Sequence, residues 1–276
     1  MLCQFAHQFP PLVADFLERG RQFKRRVREE TVTDLMMVNL QALGSGEIIV
    51  DFPDEPTTGA DMEWNFVNRC NRTFYRFLLQ AKCAYGDDAN ISRHTYKYLS
   101  YRTDGRFQAE ILCDTAQYAS DPTYPLYIFY NPECTCTAAR DTLGASIEGV
   151  NLADGYSVRS LATSRSRKIP QIRHHLHSLS TLFCTPDNHI PTPTDVLAWL
   201  MRASRYSGFP KDVRDALVED GFVVKPPEVS TSIPADILGR IGAERAAPTP
   251  PPPLRRWRVV FVSDRPEEYH PRAIDR

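Results

Sequence analysis

Residues 60–67 alternate without interruption: Asp61, Glu63 and Asn65 fall on one side of an extended chain, and Met62, Trp64 and Phe66 on the other. Residues 73–84 follow the same period, with Leu78, Gln80 and Lys82 on one face and Phe77, Leu79, Ala81 and Cys83 on the opposite one. A period of two commits both segments to strands, and the six residues from Asn68 to Thr73 can close them into an antiparallel hairpin. Residues directly opposite each other in a hairpin share a face. Any register whose paired numbers sum to an odd value, such as 61 with 80 or 61 with 82, brings Asp61, Glu63, Gln80 and Lys82 together. The hairpin therefore predicts a carboxylate cluster beside an ammonium group.

The flanking segments predict what the hairpin packs into. Residues from about 12 to 43 read as helix, with a break at Gly20 and a stop at Gly44-Ser45-Gly46, and Glu47–Phe52 reads as a strand. Past a tyrosine-rich connection, residues 105–119 have helical spacing at Phe107, Ile111, Leu112 and Ala116, and Tyr124–Tyr130 is an aromatic run of strand length. The stretch 22–131 thus reads αβββαβ, an α/β core with a mixed sheet flanked by helices. Residues 132–247 are expected as an accessory region packed on that core, with helices capped by Thr194 and spanning Pro210–Leu217. Residues 248–276 are expected as a Pro-rich linker and a C-terminal strand, Trp257–Val262.

Thirty-three basic residues stand against 34 acidic ones, so contact with a polyanion must come from local patches rather than a global field. Two basic stretches offer them: Arg19–Arg28, which includes Arg25 and Arg26, and Arg159–His177, which includes Arg167 and Lys168. Taken singly, each is more readily a solvated face, and the first gains weight because it adjoins Glu30. No apolar run is long enough to span a bilayer, and the first residues lack the pattern of a secretory signal, so the expectation is a cytoplasmic protein without membrane contact. Seven irregularly spaced cysteines suit reduced thiols better than a disulfide framework. Cys134, Cys136 and Cys184, with His189, do not have the spacing of a zinc ribbon or finger.

On a continuous first helix, Phe23, Val27, Thr31, Leu35 and Val38 form one stripe at about 100° per residue. Glu30 and Asp34 lie at its edge, while Glu29 points nearly away and is expected in solvent. A helix bearing Glu30, then Gly59-Ala60-Asp61, then Leu79-Gln80-Ala81-Lys82 resembles the PD-(D/E)XK nuclease superfamily in its Gln-x-Lys variant, and is most similar to Mrr-type restriction endonucleases. The resemblance covers residues 22–131 and implies a restriction-endonuclease-like core. It departs from the family in the long Tyr/His-rich connection after Lys82, where Gln108 is the one candidate for a helix-borne polar residue.

What the resemblance implies is metal-dependent endonucleolytic hydrolysis of DNA, in restriction or anti-phage defence. Hydrolysing a phosphodiester calls for a hard divalent cation with oxygen ligands, Mg²⁺ or Mn²⁺. By resemblance, Asp61, the side-chain oxygen of Gln80 and the carbonyl of Ala81 hold it, Glu30 holds a second ion or orients a bound water, and Lys82 positions or activates the attacking water. Glu63, Asp34 and Gln108 are further candidates. The implied partners are DNA and either a protein partner or a second copy of the chain. Two other readings use the same residues: a degenerate fold that binds nucleic acid without cutting, and an interaction scaffold whose Pro-rich tail docks a partner.

Overall fold

The computed structural model describes residues 1–21, 23, 27–44, 46–51, 60–86, 89–203, 228–242 and 257–266. The chain opens with α1 (Leu2–Arg21), which buries Phe5, Phe9, Val13 and Leu17 at helical spacing and carries Pro10 and Pro11 inside it. The helix expected from residue 12 thus starts ten residues earlier. Burial of its aromatic stripe against the sheet outweighs the backbone hydrogen bonds that proline forfeits. Gly149 permits the close approach, since a Cβ there would lie 1.9 Å from the Pro10 carbonyl oxygen.

Next come α2 (Glu29–Ala42), β1 (Ile48–Asp51), β2 (Met62–Asn68) and β3 (Thr73–Cys83). A small hairpin of β4 (Arg102–Thr103) and β5 (Arg106–Phe107) leads into α3 (Gln108–Gln117) and then β6 (Thr123–Tyr130). The expected succession of helix, three strands, helix and strand is present, with that hairpin added. Downstream lie α4 (Glu133–Leu143), β7 (Val150–Asp154), α5 (Gly155–Thr163), α6 (Ile169–Ile172), β8 (His177–Ser178), α7 (Ser180–Phe183) and α8 (Pro193–Ala203). The described chain ends with α9 (Ala235–Gly242) and β9 (Trp257–Ser263).

Seven strands form one mixed sheet in the order β1-β9-β2-β3-β6-β7-β8. The last described strand, β9, is inserted next to the edge strand, parallel to β2 and antiparallel to β1. The sheet therefore draws strands from both sides of residue 131, and residues 22–131 do not hold a complete sheet of their own. One face buries Trp64, Phe66, Phe77 and Leu79 under α1, α2, α7 and α8, and the other buries Leu78, Tyr127 and Phe129 under α3 and α5. Beyond these, α9 places Ile237 against Val67, Phe74, Val260 and Val262.

Two further expectations change. α8 is capped not by Thr194 but by Thr192, whose hydroxyl accepts the Asp195 N–H at 3.2 Å while Asp195 Oδ2 accepts the Thr192 N–H at 3.0 Å. This reciprocal box puts Pro193 in the first helical position, where its missing N–H costs nothing. Cys3 and Cys184 are joined as a disulfide across 181 residues, so these two cysteines are not reduced thiols. The remaining cysteines, among them buried Cys83, Cys113 and Cys136, are free. The helix expected at 210–217 and the polyproline segment at 248–253 lie outside the described residues.

Candidate active site

The site arises where β3 outruns β2. The hairpin pairs Met62 with Leu79 and Glu63 with Leu78, which is the register that sets Asp61 opposite Gln80. The last backbone bond of this ladder runs from the Asp61 N–H to the Leu79 carbonyl at 2.8 Å. Beyond it, the odd-numbered residues of β3 still aim their N–H groups toward the vacated position of β2, and a buried N–H without an acceptor is costly. Two carboxylates supply the acceptors. Asp61 Oδ2 takes the Ala81 N–H at 2.7 Å, and Glu29 Oε1 takes the Cys83 N–H at 3.0 Å. Because N–H and C=O of one residue point the same way along a strand, the Ala81 carbonyl also faces this notch. The Gln80 side-chain amide donates to the same Asp61 oxygen.

Lys82 is only 4% exposed, and its ammonium is held between two partners. It donates to Gln108 Oε1 at 3.1 Å and stands 3.9 Å from Glu29 Oε2. Gln108 can reach it because it is the first residue of α3, the helix that covers this face. On the neighbouring strand, Tyr127 is in register with Gln80, and its buried hydroxyl has no hydrogen-bond partner.

Burial dominates the electrostatics. It pushes the Asp61 carboxyl up to about 6, with Lys82 and the Ala81 N–H opposing the rise and Glu29 and Glu30 adding to it. Burial likewise raises Glu29, against Lys82 and the Cys83 N–H. Among the described residues, three carboxylates thus share one region with a single ammonium, an excess of negative charge that a cation would relieve.

The glutamate expected at the site was Glu30, but Glu29 occupies it, and Glu30 is exposed beside it. The reason lies in helix phase. The chain does not continue helically from α1, and α2 restarts at Glu29, burying Thr33, Met36 and Leu40 instead of the stripe through Val38, which is 59% exposed. Glu29 stands four residues before Thr33 and seven before Met36, on that buried stripe. The Thr33 hydroxyl, 3.1 Å from the Tyr130 hydroxyl, pins the helix at this rotation.

Other candidates are engaged elsewhere. Glu63 is fully buried, but it serves an ionic ladder across three strands: its Oε1 lies 3.0 Å from Arg258 Nε and 3.6 Å from Arg76 Nε, and accepts the Asn65 amide at 2.8 Å. Asp34 accepts the Trp257 indole N–H at 2.7 Å, tying α2 to β9. Arg25 and Arg26 lie outside the described residues. Arg167 and Lys168 are exposed, next to the strand-like segment at Thr95. Cys134, Cys136, Cys184 and His189 do not assemble: Cys184 is bonded to Cys3, Cys136 is buried, and Cys134 faces Arg21 and the Gly86 carbonyl. Among the described residues, one trio of His, Cys, Asp or Glu side chains has its ligand atoms within 4.8 Å of one another, namely Cys3, His7 and Cys184, two of which form the disulfide. Glu29, Glu30 and Asp61 are more widely spaced than that.

No helix among the described residues is long and apolar enough to cross a membrane. The family model of DUF6615, a family of unknown function, matches residues 2–268, and the chain belongs to that family. No curated protein and no solved structure matches it.

Proposed function

We propose that this DUF6615 protein is a metal-dependent nuclease that hydrolyses DNA phosphodiesters internally, on a restriction-endonuclease-like core formed by α2, β1–β3, α3 and β6. The observation that carries the reading is the convergence at the end of β3: Asp61, Gln80 and the Ala81 backbone on one side, and Lys82, braced by Glu29 and Gln108, on the other.

The donor set fits a hard divalent cation. All of it is oxygen, it carries surplus negative charge, and an orphaned buried hydroxyl, that of Tyr127, lies on the next strand. Asp61, with the Gln80 side-chain oxygen and the Ala81 carbonyl, would hold Mg²⁺ or Mn²⁺, and Glu29 replaces Glu30 as the second acidic residue. A bound ion supplies Lewis-acid polarisation of the phosphoryl oxygen and acidifies water. The chain's own residues do the rest. Gln108 and Glu29 restrict the Lys82 ammonium to one position, from which it donates to the attacking water or to oxygen charge developing on phosphorus. Asp61 is oriented by two donors before any ligand arrives, so little reorganisation is left for the reaction. Because glutamine is neutral where related sites carry glutamate, metal affinity is weak, and activity needs metal in the millimolar range.

The test is cleavage of supercoiled plasmid and linear DNA by the wild type and by Lys82→Ala, with Mg²⁺, Mn²⁺ or chelator, once both are shown to fold. The expected result is metal-dependent cutting that Lys82→Ala abolishes. Equal cutting by both proteins would refute the assignment of Lys82. Metal-independent nucleic-acid binding with no cutting would replace the nuclease by a degenerate binding fold.

A further inference from the structure

We propose that an exposed tyrosine and lysine surface beside this site binds single-stranded nucleic acid and leads it to Asp61 and Lys82. The inference rests on the nuclease reading for its destination, but not for the binding itself.

The surface is built by the connection between β3 and α3, the segment whose length departs from the family pattern. A continuous chain of contacts runs along it. Lys82 donates to Gln108, whose backbone N–H donates to the Tyr101 carbonyl at 3.1 Å, and the Tyr101 N–H donates to the Tyr98 carbonyl at 3.1 Å. The Tyr98 ring meets Tyr85 edge-on at 5.6 Å, and Lys97 Nζ lies 5.6 Å from the Tyr98 ring centre. The Tyr96 N–H donates to the Arg167 carbonyl at 2.9 Å, and Thr95 bridges to Lys168, so a second segment adds its cations to the first. Lys97, Arg167 and Lys168 are exposed, and none is ion-paired with a described residue.

Two features point to the partner. Tyr98 and Tyr101 are 43% and 53% exposed, whereas six of the ten described tyrosines are buried. Open aromatic faces interleaved with cations suit a strand whose bases are free to stack while its phosphates are neutralised. Duplex DNA offers the cations its phosphates but keeps its base faces stacked away from the rings. The surface is also tied to the site, by the hydrogen-bond path that runs from Lys82 through Gln108 to the Tyr101 carbonyl.

The test measures anisotropy of labelled oligo(dT), oligo(U) and duplex DNA, each of about 15 units, with full-length Lys82→Ala protein in chelator, so that neither cutting nor metal enters. The expected result is preference for single strands over duplex, with the oligo(dT) and oligo(U) arms showing which sugar is favoured. Tyr98→Ala with Tyr101→Ala should weaken binding at least tenfold, with phenylalanine at both positions restoring most of it. Lys97→Ala with Lys168→Ala should weaken binding and flatten its salt dependence. Absence of single-strand binding, or binding unchanged in the tyrosine pair, would overturn the proposal. Binding as expected in a wild type that never cuts DNA would retain this surface and remove the nuclease reading.

Discussion

Arg258 and Glu63, 195 residues apart in the chain, lie directly across the parallel β2–β9 ladder with 3.0 Å between Nε and Oε1, and both are almost wholly buried. A buried carboxylate that keeps its charge must keep its partners, and here the partner arrives on the last described strand. Arg258→Met takes the nearest cation from Glu63, leaving Arg76 at the longer distance of 3.6 Å, and should cost about 3–5 kcal/mol of folding stability. Changing both residues to apolar ones of similar size should cost much less. Denaturant unfolding midpoints of the single and double variants check this, and equal losses would show that the pair has no special standing.

Glu29 and Glu30 are neighbours at the start of α2, but only Glu29 meets Cys83 and Lys82. Glu29→Gln should lower metal-dependent cleavage by roughly 100-fold or more, while Glu30→Gln should lower it less than about tenfold, through loss of a nearby charge. Initial rates on plasmid DNA separate the two, and the reverse ranking would move the second acidic role back to Glu30.

Asp61 is the one charged group of the donor set that also orders the backbone, through the Ala81 N–H. If Asp61 holds the ion, Mn²⁺ should raise the wild-type melting temperature and Asp61→Asn should abolish that rise, since a ligand stabilises only the state that binds it. Removing metal with chelator should lower the wild-type melting temperature toward that of the variant. A metal-induced shift that survives in Asp61→Asn would place the ion elsewhere.

The Thr192–Asp195 box gives a pH dependence whose sign can be worked out. Burial would raise the Asp195 carboxyl, but the Thr192 N–H, His189 and the Thr192 hydroxyl together outweigh it and hold the group below its ordinary 3.8. A depressed carboxyl contributes stability that is present above the unfolded value, near pH 4, and is lost as pH falls through the folded value. Asp195→Ala should cost about 1 kcal/mol at neutral pH, and the difference from wild type should close below about pH 4. Stability curves across that range decide it.

The Cys3–Cys184 bond ties α1 to the segment after α7. Opening so long a loop should cost no more than about 5 kcal/mol. Reductant should therefore lower the wild-type melting temperature and leave a Cys184→Ser variant unmoved. Identical responses would show that these thiols are not paired in solution.

The hairpin was legible in the sequence, and its register was narrowed to odd sums of paired numbers, because one apolar face and one polar face leave a period-two pattern with few alternatives. Asp61, Gln80 and Lys82 followed from that arithmetic, and the structure brings Gln108 to them. Glu29 was misread because a helical wheel is only as good as its starting phase: the restart at residue 29 rotates the buried stripe through Thr33 and Met36. The ionic ladder escaped notice for another reason. Arg258 is one arginine in a short strand, and nothing local says that this strand lies against β2 rather than at an edge. The disulfide and the surface from Tyr98 to Lys168 join distant segments in the same way, and neighbouring residues carry no trace of such contacts.

The place of β9 has a bearing on when the molecule becomes competent. It is the last described strand in the chain, yet it lies between β1 and β2, and its first residue, Trp257, is in register with Met62 at the lip of the notch. A ribosome that has released everything up to β8 has released a chain whose Glu63 lacks Arg258 and whose sheet has a vacancy beside its acidic residues. Among the described strands, β9 is therefore the one that must be inserted after the others have been made, and Glu63 gains its buried partner only at that step.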